Sequence, residues 1–486
     1  MFYPDLEGVK YLAQSYSRVP VATELYMDFH TPISLLSRIR KRSEQYFLLE
    51  SVEGDEKWAR YTFLGFDPRA VFSAKDGKGY YESEEGVLYF EDNPLDFLEG
   101  LLRDYKGPKD ERLPPLTGGA IGYFGYDAIK YIESIRLNNS DLVQAPDILL
   151  MFFDEIIAFD HLKQKIILIT NIDTKTNTIE SSYQQALDSL KALMSLLNEP
   201  ILPQMKCCMK VEDFKSNVSK EEFIKQVERA KAYIRRGDIY QVVLSQVLST
   251  SLEADLFAVY RSLRTINPSA YMYLIKFKDL ELAGASPETL VRLRGNTVMT
   301  QPIAGTRPRG LREDAALIEE LLQDEKELAE HNMLVDLGRD DLGRISKLDS
   351  IRIKDYKAIR KLSHVIHMTT TVEGLLQDTC SILDIIRAIL PAGTLSGAPK
   401  LKAIKIIEEL ESARRGIYGG AICYIGYDGS LDTCIAIRTM IKKGGFAYVQ
   451  AGAGIVLGSD PLMEYEELMA KASALLRALD AIKDIR

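Results

Sequence analysis

Two pairs of glutamates, Glu327 with Glu330 and Glu464 with Glu467, are each spaced three residues apart in segments rich in Leu, Ala, Glu and Lys. On a helix that spacing puts both members of a pair on one face. Like charges side by side are unfavourable unless a cation stands between them, and four carboxylates offer the hard oxygens that Mg2+ prefers. One such pair is commonly a solvated helix face. Two of them, each just after a glycine- and proline-bearing stretch, form a more specific pattern. The first stretch is TQPIAGTRPRG at 300–310, where Gly305, Thr306, Arg307 and Arg309 stand among prolines. Prolines there exclude a helix interior, so a loop turning N–H groups, a hydroxyl and guanidiniums toward an anion is expected. The second is VQAGAGIVLGSDP, whose Gly452, Gly454 and Gly458 leave main-chain N–H groups open to a carboxylate. Together the stretches suit an acidic small molecule held through a metal.

Other residues could join them. Arg438 interrupts the apolar run CIAIRTMI, and strand alternation puts it on one face with Asp432, Cys434 and Ala436. There it can meet a ligand anion or pair with Asp432. His364 and His367 lie in LSHVIHMTTTVEG, whose β-branched run favours a strand, so the two rings point to opposite faces. One of them could serve as an acid or base. No GxSxG, P-loop, Rossmann fingerprint or Cys–His nucleophile motif is present.

The elements that must position these groups alternate along the chain. Helices are expected at 31–42, 94–102 and 179–197, over a long span from about 311 to Gly338, and after Ser219, which has capping-box spacing to Glu222. Asp460 and Pro461 open another at the C-terminal end. Strands are expected at 45–51, 61–66, 148–160, 165–170, 241–248, 271–277, 282–293, 418–427, 431–441 and 446–451. YDGS at 427–430 is a hairpin turn, and TGGAIGYFGYD is a strand that something approaches closely. No internal repeat is evident. Composition shifts at 198–216, which divides the chain into residues 1–200 and 217–486. Hairpins beside separate helices predict an α+β fold with antiparallel sheets.

Composition excludes several classes. Acidic residues exceed basic ones by 70 to 61 in a chain of 486 residues, so a nucleic-acid partner is not expected. No apolar run is long enough to span a bilayer, and neither a membrane segment nor a signal peptide is expected. The five cysteines form no CxxC pair, which fits free thiols in the cytoplasm.

PIAGTRPRG, KELAEHNMLVDLGRDDLGR, SHVIHMTTTVEG, PAGTLSGAPKLKAI, YGGAICYIGYDGSLDTCIAIRT and VQAGAGIVLGSDPLMEYEELMAKA, in that order, resemble the chorismate-utilising enzymes, and among them the anthranilate synthase component I family. LLES, RYTFLGFDP and LPPLTGGAIGYFGYD extend the resemblance into the amino-terminal half. It implies antiparallel sheets sandwiched by helices, chorismate as substrate, Mg2+ as cofactor and a separate glutamine amidotransferase subunit as ammonia source. It further implies that 217–486 is the chorismate-binding catalytic domain and 1–200 a regulatory, tryptophan-binding region. Carried over by motif, Glu330 and Glu467 bind the metal directly and Glu327 and Glu464 complete its shell. Gly305, Thr306, Tyr418, Arg438, Gly452, Ala453, Gly454 and Lys471 match substrate contacts. Glu288 matches the general acid for the departing ring hydroxyl and His367 the histidine of pyruvate elimination. Glu50, Ser51, Ala270, Tyr271 and Met272 match a tryptophan site, with Glu50 meeting the α-amino group and Tyr271 and Met272 forming an apolar wall. Isochorismate- and salicylate-forming relatives carry a base lysine where this chain has Gln241. Aminodeoxychorismate synthases often carry a nucleophilic lysine where it has Ala304. Ammonia attack on the ring is therefore expected; the alternatives are an aminodeoxychorismate synthase subunit and a non-catalytic chorismate-binding subunit.

Overall fold

The computed structural model describes residues 2–51, 60–176, 178–200, 214–310, 313–361 and 365–481; His364, Cys207 and Cys208 lie outside them. Its strands form two sheets, one of 13 and one of 12, and every pairing between named strands is antiparallel. The sheets pack face to face with helices on both outer faces, giving the expected α+β sandwich in four layers. Period-two alternation builds it. In the strand Ile148–Phe153, Ile148, Leu150 and Phe152 face the outer helices of the second sheet, while Leu149, Met151 and Phe153 enter the core between sheets. The first sheet does the same: Leu48 and Leu64 meet helix residues such as Leu35 and Leu190, whereas Phe47 and Phe63 turn inward.

Four times the chain bends from one sheet into the other, the device by which packed sheets make corners. Tyr61–Phe66 passes to Ala70–Lys75, Ile148–Phe153 to Glu155–Asp160, Leu280–Ser286 to Thr289–Arg294, and Leu431–Ile435 to Thr439–Lys443. Three strands expected to run unbroken (148–160, 282–293 and 431–441) are therefore two each. Their hydrophobic pattern continues through the bend because both halves are buried, so periodicity carries no mark of it.

The layout occurs twice. A helix (Leu6–Leu12 or Lys220–Arg235) leads to a strand (Arg18–Tyr26 or Gln241–Ser251) and a second helix (Pro32–Ile39 or Leu256–Ile266). Next come the hairpins, the two sheet-crossing bends and a closing helix (Ile179–Leu197 or Pro461–Asp480), with matching strand partners throughout. The sequence does carry the signal: GGAIGYFGYD at 118–127 and GGAICYIGYD at 419–428 differ at two positions. Those two segments pair with each other, Gly119 opposite Gly426 and Ala421 opposite Phe124. Gln45–Glu50 likewise pairs with its counterpart Tyr271–Phe277. Both sheets are thus continuous across the two halves.

In the amino-terminal half the bend is sealed from within. Asp154, at the crossing, accepts from the Tyr427 hydroxyl at 2.7 Å and lies 3.6 Å from Arg69 and 3.8 Å from Arg18. Burial pushes its carboxyl up to about 6, against the lowering pull of Arg69. Removing one partner of a buried ion cluster leaves charge uncompensated. Asp154→Ala is therefore expected to destabilise the protein by about 3 kcal/mol, read as a lower urea unfolding midpoint.

Candidate active site

The corresponding bend of the carboxy-terminal half opens into a cavity of about 810 Å3. Its walls come from Gln241–Ser251 and Phe446–Ile455 in one sheet, Ile303–Pro308 and Val365–Leu375 in the other, and the helices Glu325–Gly343 and Pro461–Asp480. At the bend the Ile435 N–H donates to the Glu288 carbonyl at 3.1 Å, and the Ala285 N–H to the Arg438 carbonyl at 3.1 Å. Arg438 turns the chain with φ +49°. It does not pair with Asp432, which binds Arg292 at 2.8 Å and the Tyr271 hydroxyl at 2.9 Å. Because Thr439–Lys443 leaves at Arg438, it pairs with Phe446–Ile455 only as far as Val449, while Gln241–Ser251 follows that strand to Ile455. Residues 450–455 thereby keep one edge free of a strand partner, and Arg438 lines the same cavity as that edge.

Gly452 and Gly454 line that edge, and a Cβ on either would lie 2.8 Å from the Tyr418 hydroxyl or 2.7 Å from Gln241 Nε2. Close approach, not φ, demands glycine here. Ala453, between them, turns into the helix-facing core and does not line the cavity. Lys471 reaches the edge from its helix, donating to the Gly452 carbonyl at 3.2 Å and pairing with Glu467 at 2.7 Å.

The four glutamates line this one cavity, two from each helix. Burial, and then repulsion from Glu327, raises the Glu330 carboxyl, which also accepts from Gln241. Glu464 is raised by burial and by Glu467. Glu327 meets Arg307 at 3.2 Å. Among the described residues no three such groups stand close enough together to hold a metal. The expected anion loop before the first pair is instead a strand, Ile303–Pro308, hydrogen-bonded to Val365–Leu375. Arg307 is spent on Glu320, Asp324 and Glu327, and Arg309 on Asp314, so acids brought close by the following helices take up both guanidiniums. The single long helix expected there is two, Asp314–Gln323 and Glu325–Gly343, broken where Asp324 leaves helical geometry to cap the second. Gly305 keeps a special role: its φ is +75°, and a Cβ would lie 2.7 Å from Leu321. The Thr306 side chain is outside the described residues.

Glu288 is the most perturbed acid of the cavity. Burial pushes it up to about 7, while Thr394, Arg438 and Lys471 pull it back. His367 is buried on the facing strand, its Nδ1 3.3 Å from the Gly305 carbonyl. Gln241 and Ala304 both line the cavity, and Gln241 Oε1 is buried with no protein partner. Tyr418 is set from behind by a buried pair. Arg415 binds Glu411 at 2.6 Å and the carbonyls of Val243 and Leu395 at 2.7 and 2.5 Å, with its guanidinium over the Tyr418 ring. Glu411 in turn accepts from Ser245. Thr394, Lys326, Arg360 and Arg477 also line the cavity and were not singled out from the sequence. Thr394 was within reach, since PAGTLSGAPK is too polar and glycine-rich for a plain helix.

The remaining group divides. Ser51 and Ala270 line the cavity together with Asn267, Pro268 and Ser269. Glu50 is already held by Arg264 at 2.8 Å and by the Tyr260 hydroxyl. Tyr271 and Met272 do not line this cavity. Alternation sends Met272 into the helix-facing core, and the Tyr271 hydroxyl is tied to Asp432 and Thr289.

Comparison with known proteins agrees with this geometry. The family model described as chorismate binding enzyme matches residues 44–477. Anthranilate synthase component 1 of Acetivibrio thermocellus is 47% identical over 100% of both chains, and that of Aquifex aeolicus 41% identical over 99% of this chain and 98% of its own. The crystal structure of anthranilate synthase component I from Streptococcus pneumoniae matches with a TM-score of 0.78 and 37% identity, covering 93% of this chain and 98% of that one. A menaquinone-specific isochorismate synthase of Escherichia coli shares the fold at a TM-score of 0.70 and 19% identity, covering 98% of each chain. With a catalytic-looking acid, a buried histidine and paired glutamates on this scaffold, the chain belongs to the chorismate-binding enzymes, in the family of anthranilate synthase component I.

Proposed function

We propose that the protein converts chorismate and ammonia into anthranilate and pyruvate, as a Mg2+-dependent lyase of tryptophan biosynthesis in the cytoplasm. The observation that carries this is one cavity holding Glu288, His367, Arg438 and both glutamate pairs, in a chain alike from end to end to proteins named for that reaction. Gln241 and Ala304 favour it over the sibling chemistries, because neither side chain can act as base or nucleophile. No helix among the described residues is long and apolar enough to cross a membrane. Purified protein given chorismate, Mg2+ and ammonium should produce anthranilate fluorescence; 4-amino-4-deoxychorismate by mass would overturn the reading.

The donor set suits Mg2+: hard oxygens, two of them raised by burial and by a like-charged neighbour, a state that a cation relieves. Glu330 and Glu467 would hold it, with Glu327 and Glu464 around them. When bound it would neutralise the ring carboxylate of chorismate. Arg438, Tyr418 and the edge at Gly452 and Gly454 would hold the second carboxylate. Glu288, protonated near neutrality, would give its proton to the leaving hydroxyl, and His367 would serve the later elimination of pyruvate.

Ammonia needs a supplier, because ammonium predominates at neutral pH. Among the described cysteines none lines the cavity, and burial pushes the Cys423 and Cys434 thiols up, away from the thiolate a glutaminase requires. A glutamine amidotransferase subunit is the expected partner. Tryptophan is the expected effector, with the Glu50–Ser51 and Ala270–Met272 segments its contacts; of these, Ser51 and Ala270 line the cavity.

Three outcomes test these parts. Glu467→Gln keeps shape and removes charge, so turnover should be lost and Mg2+ binding by calorimetry weakened, with the melting temperature held. Glu288 has a folded pKa above that of an unfolded glutamate, so it disfavours folding increasingly as pH rises toward 7. Glu288→Gln should therefore melt at or above the parent at pH 8, with the gap closing toward pH 5, while its chorismate consumption is lost. Ser51→Phe fills the space beside Pro268 and Ala270, and should relieve tryptophan inhibition of anthranilate formation while leaving kcat close to that of the parent.

A further inference from the structure

A second, smaller chamber of about 40 Å3 shares Glu288, Thr289 and Thr394 with the main cavity. Its other walls are different: Thr300, Leu334, Leu337, Gly338, Ile389 and Ile435. It thus lies between the sheet-crossing bend, the Glu325–Gly343 helix and the turn carrying Thr394. Chorismate cannot enter it. A single water needs on the order of 10–15 Å3 of such space, so the chamber has room for at least one.

The wall is mostly apolar, with Glu288, Thr289, Thr300, Asp341 and Thr394 as its polar members. The Thr394 hydroxyl stands close enough to Glu288 to stabilise its carboxylate and lower its pKa, but it completes no well-aligned hydrogen bond within the protein. Thr289 is 3.0 Å from the Tyr271 hydroxyl, and Thr300 donates to the Leu290 carbonyl at 2.8 Å, leaving its lone pairs to accept. At the far end Asp341 is closed off by Lys400, at 2.8 and 2.7 Å. A water in the chamber would find two to four polar partners, which an ordered buried water requires.

The reading above gives such a water an origin. When the ring hydroxyl leaves, the C–O bond breaks, its electron pair stays on oxygen, and the proton of Glu288 completes a water molecule at the Glu288 carboxyl. The nitrogen bonded at the other ring carbon sheds a proton to solvent, and Glu288 must regain one. Meanwhile the aminated intermediate still fills the main cavity. We propose that the chamber between Glu288, Thr394 and Thr300 receives the departing water and holds it off the intermediate. This rests on the proposed amination chemistry and assigns a place to its second product.

The test fills the chamber without touching the main cavity. Thr300→Leu should lower kcat for chorismate consumption about tenfold or more, with KM for chorismate and for ammonium little changed. Conversion of the aminated intermediate, supplied directly, should proceed at the parent rate, because that half-reaction releases no water from Glu288. Adding Leu337→Ala reopens the chamber from the opposite wall and should restore most of the lost rate. Unchanged chorismate turnover would overturn the proposal. So would a raised KM for ammonium with kcat recovered at saturation, which would make the chamber an entrance for the nucleophile. Equal loss of both half-reactions without rescue would reduce Thr300 to packing and overturn it too. If the parent itself makes no anthranilate, the fault lies with the proposed function instead.

Discussion

At the carboxy-terminal bend two strands cross between the sheets together, tied by the hydrogen bonds from Ile435 to the Glu288 carbonyl and from Ala285 to the Arg438 carbonyl. Those bonds force the chain through Arg438 at positive φ and carry Thr439–Lys443 away from Phe446–Ile455. The unpaired edge at 450–455, the placement of the guanidinium and the exposure of Glu288 to the cavity all follow from that departure. An ordinary flat pairing of the same strands would close the edge and leave no site.

The same bend in the amino-terminal half has the opposite fate. There Asp154 and Arg69 occupy the two crossing segments, and their charges are offset inside the protein in a cluster with Arg18, Asp173 and Tyr427. In the carboxy-terminal half the acid is Glu288 and the cation Arg438, and both face a cavity. One framework thus yields a structural plug on one side and a reactive corner on the other. What differs is whether the polar groups at the crossing lie sealed inside the protein or line a cavity.

Electrostatics in the cavity are arranged by burial more than by pairing. Glu288, Glu330 and Glu464 are all pushed upward first by desolvation, and hydrogen bonds from Thr394, Gln241 and Ser459, with nearby lysines and Arg438, only moderate the shift. Such groups are poised to exchange a proton or accept a cation, since the uncompensated charged form is the unfavourable one. The rigid Arg415–Glu411 pair behind Tyr418 keeps the Gln241 strand and the Thr394 turn in place while this happens.

By itself the sequence determined the elements and their antiparallel character, because hydrophobic period and capping residues are local properties, and it showed the glutamate pairs by spacing, while Glu288, Tyr418 and Lys471 came only from the resemblance of their motifs. The helix opened by Asp460 and Pro461, the hairpin at YDGS and the glutamate pairs were legible for that reason. The duplicated GGAI segment overturns the expectation of no internal repeat: one short stretch of identity is a weak local signal, and its meaning appeared only when its two copies paired with each other. Tertiary structure alone decided the bends at Asp154, Pro287 and Arg438, since strands buried on both faces show no change of pattern where they switch sheets. It also decided that Arg307 and Arg309 serve neighbouring acids rather than a ligand, that Met272 faces a core, and that Thr394 stands against Glu288. Each of these depends on which distant segment arrives opposite, and no local pattern encodes that.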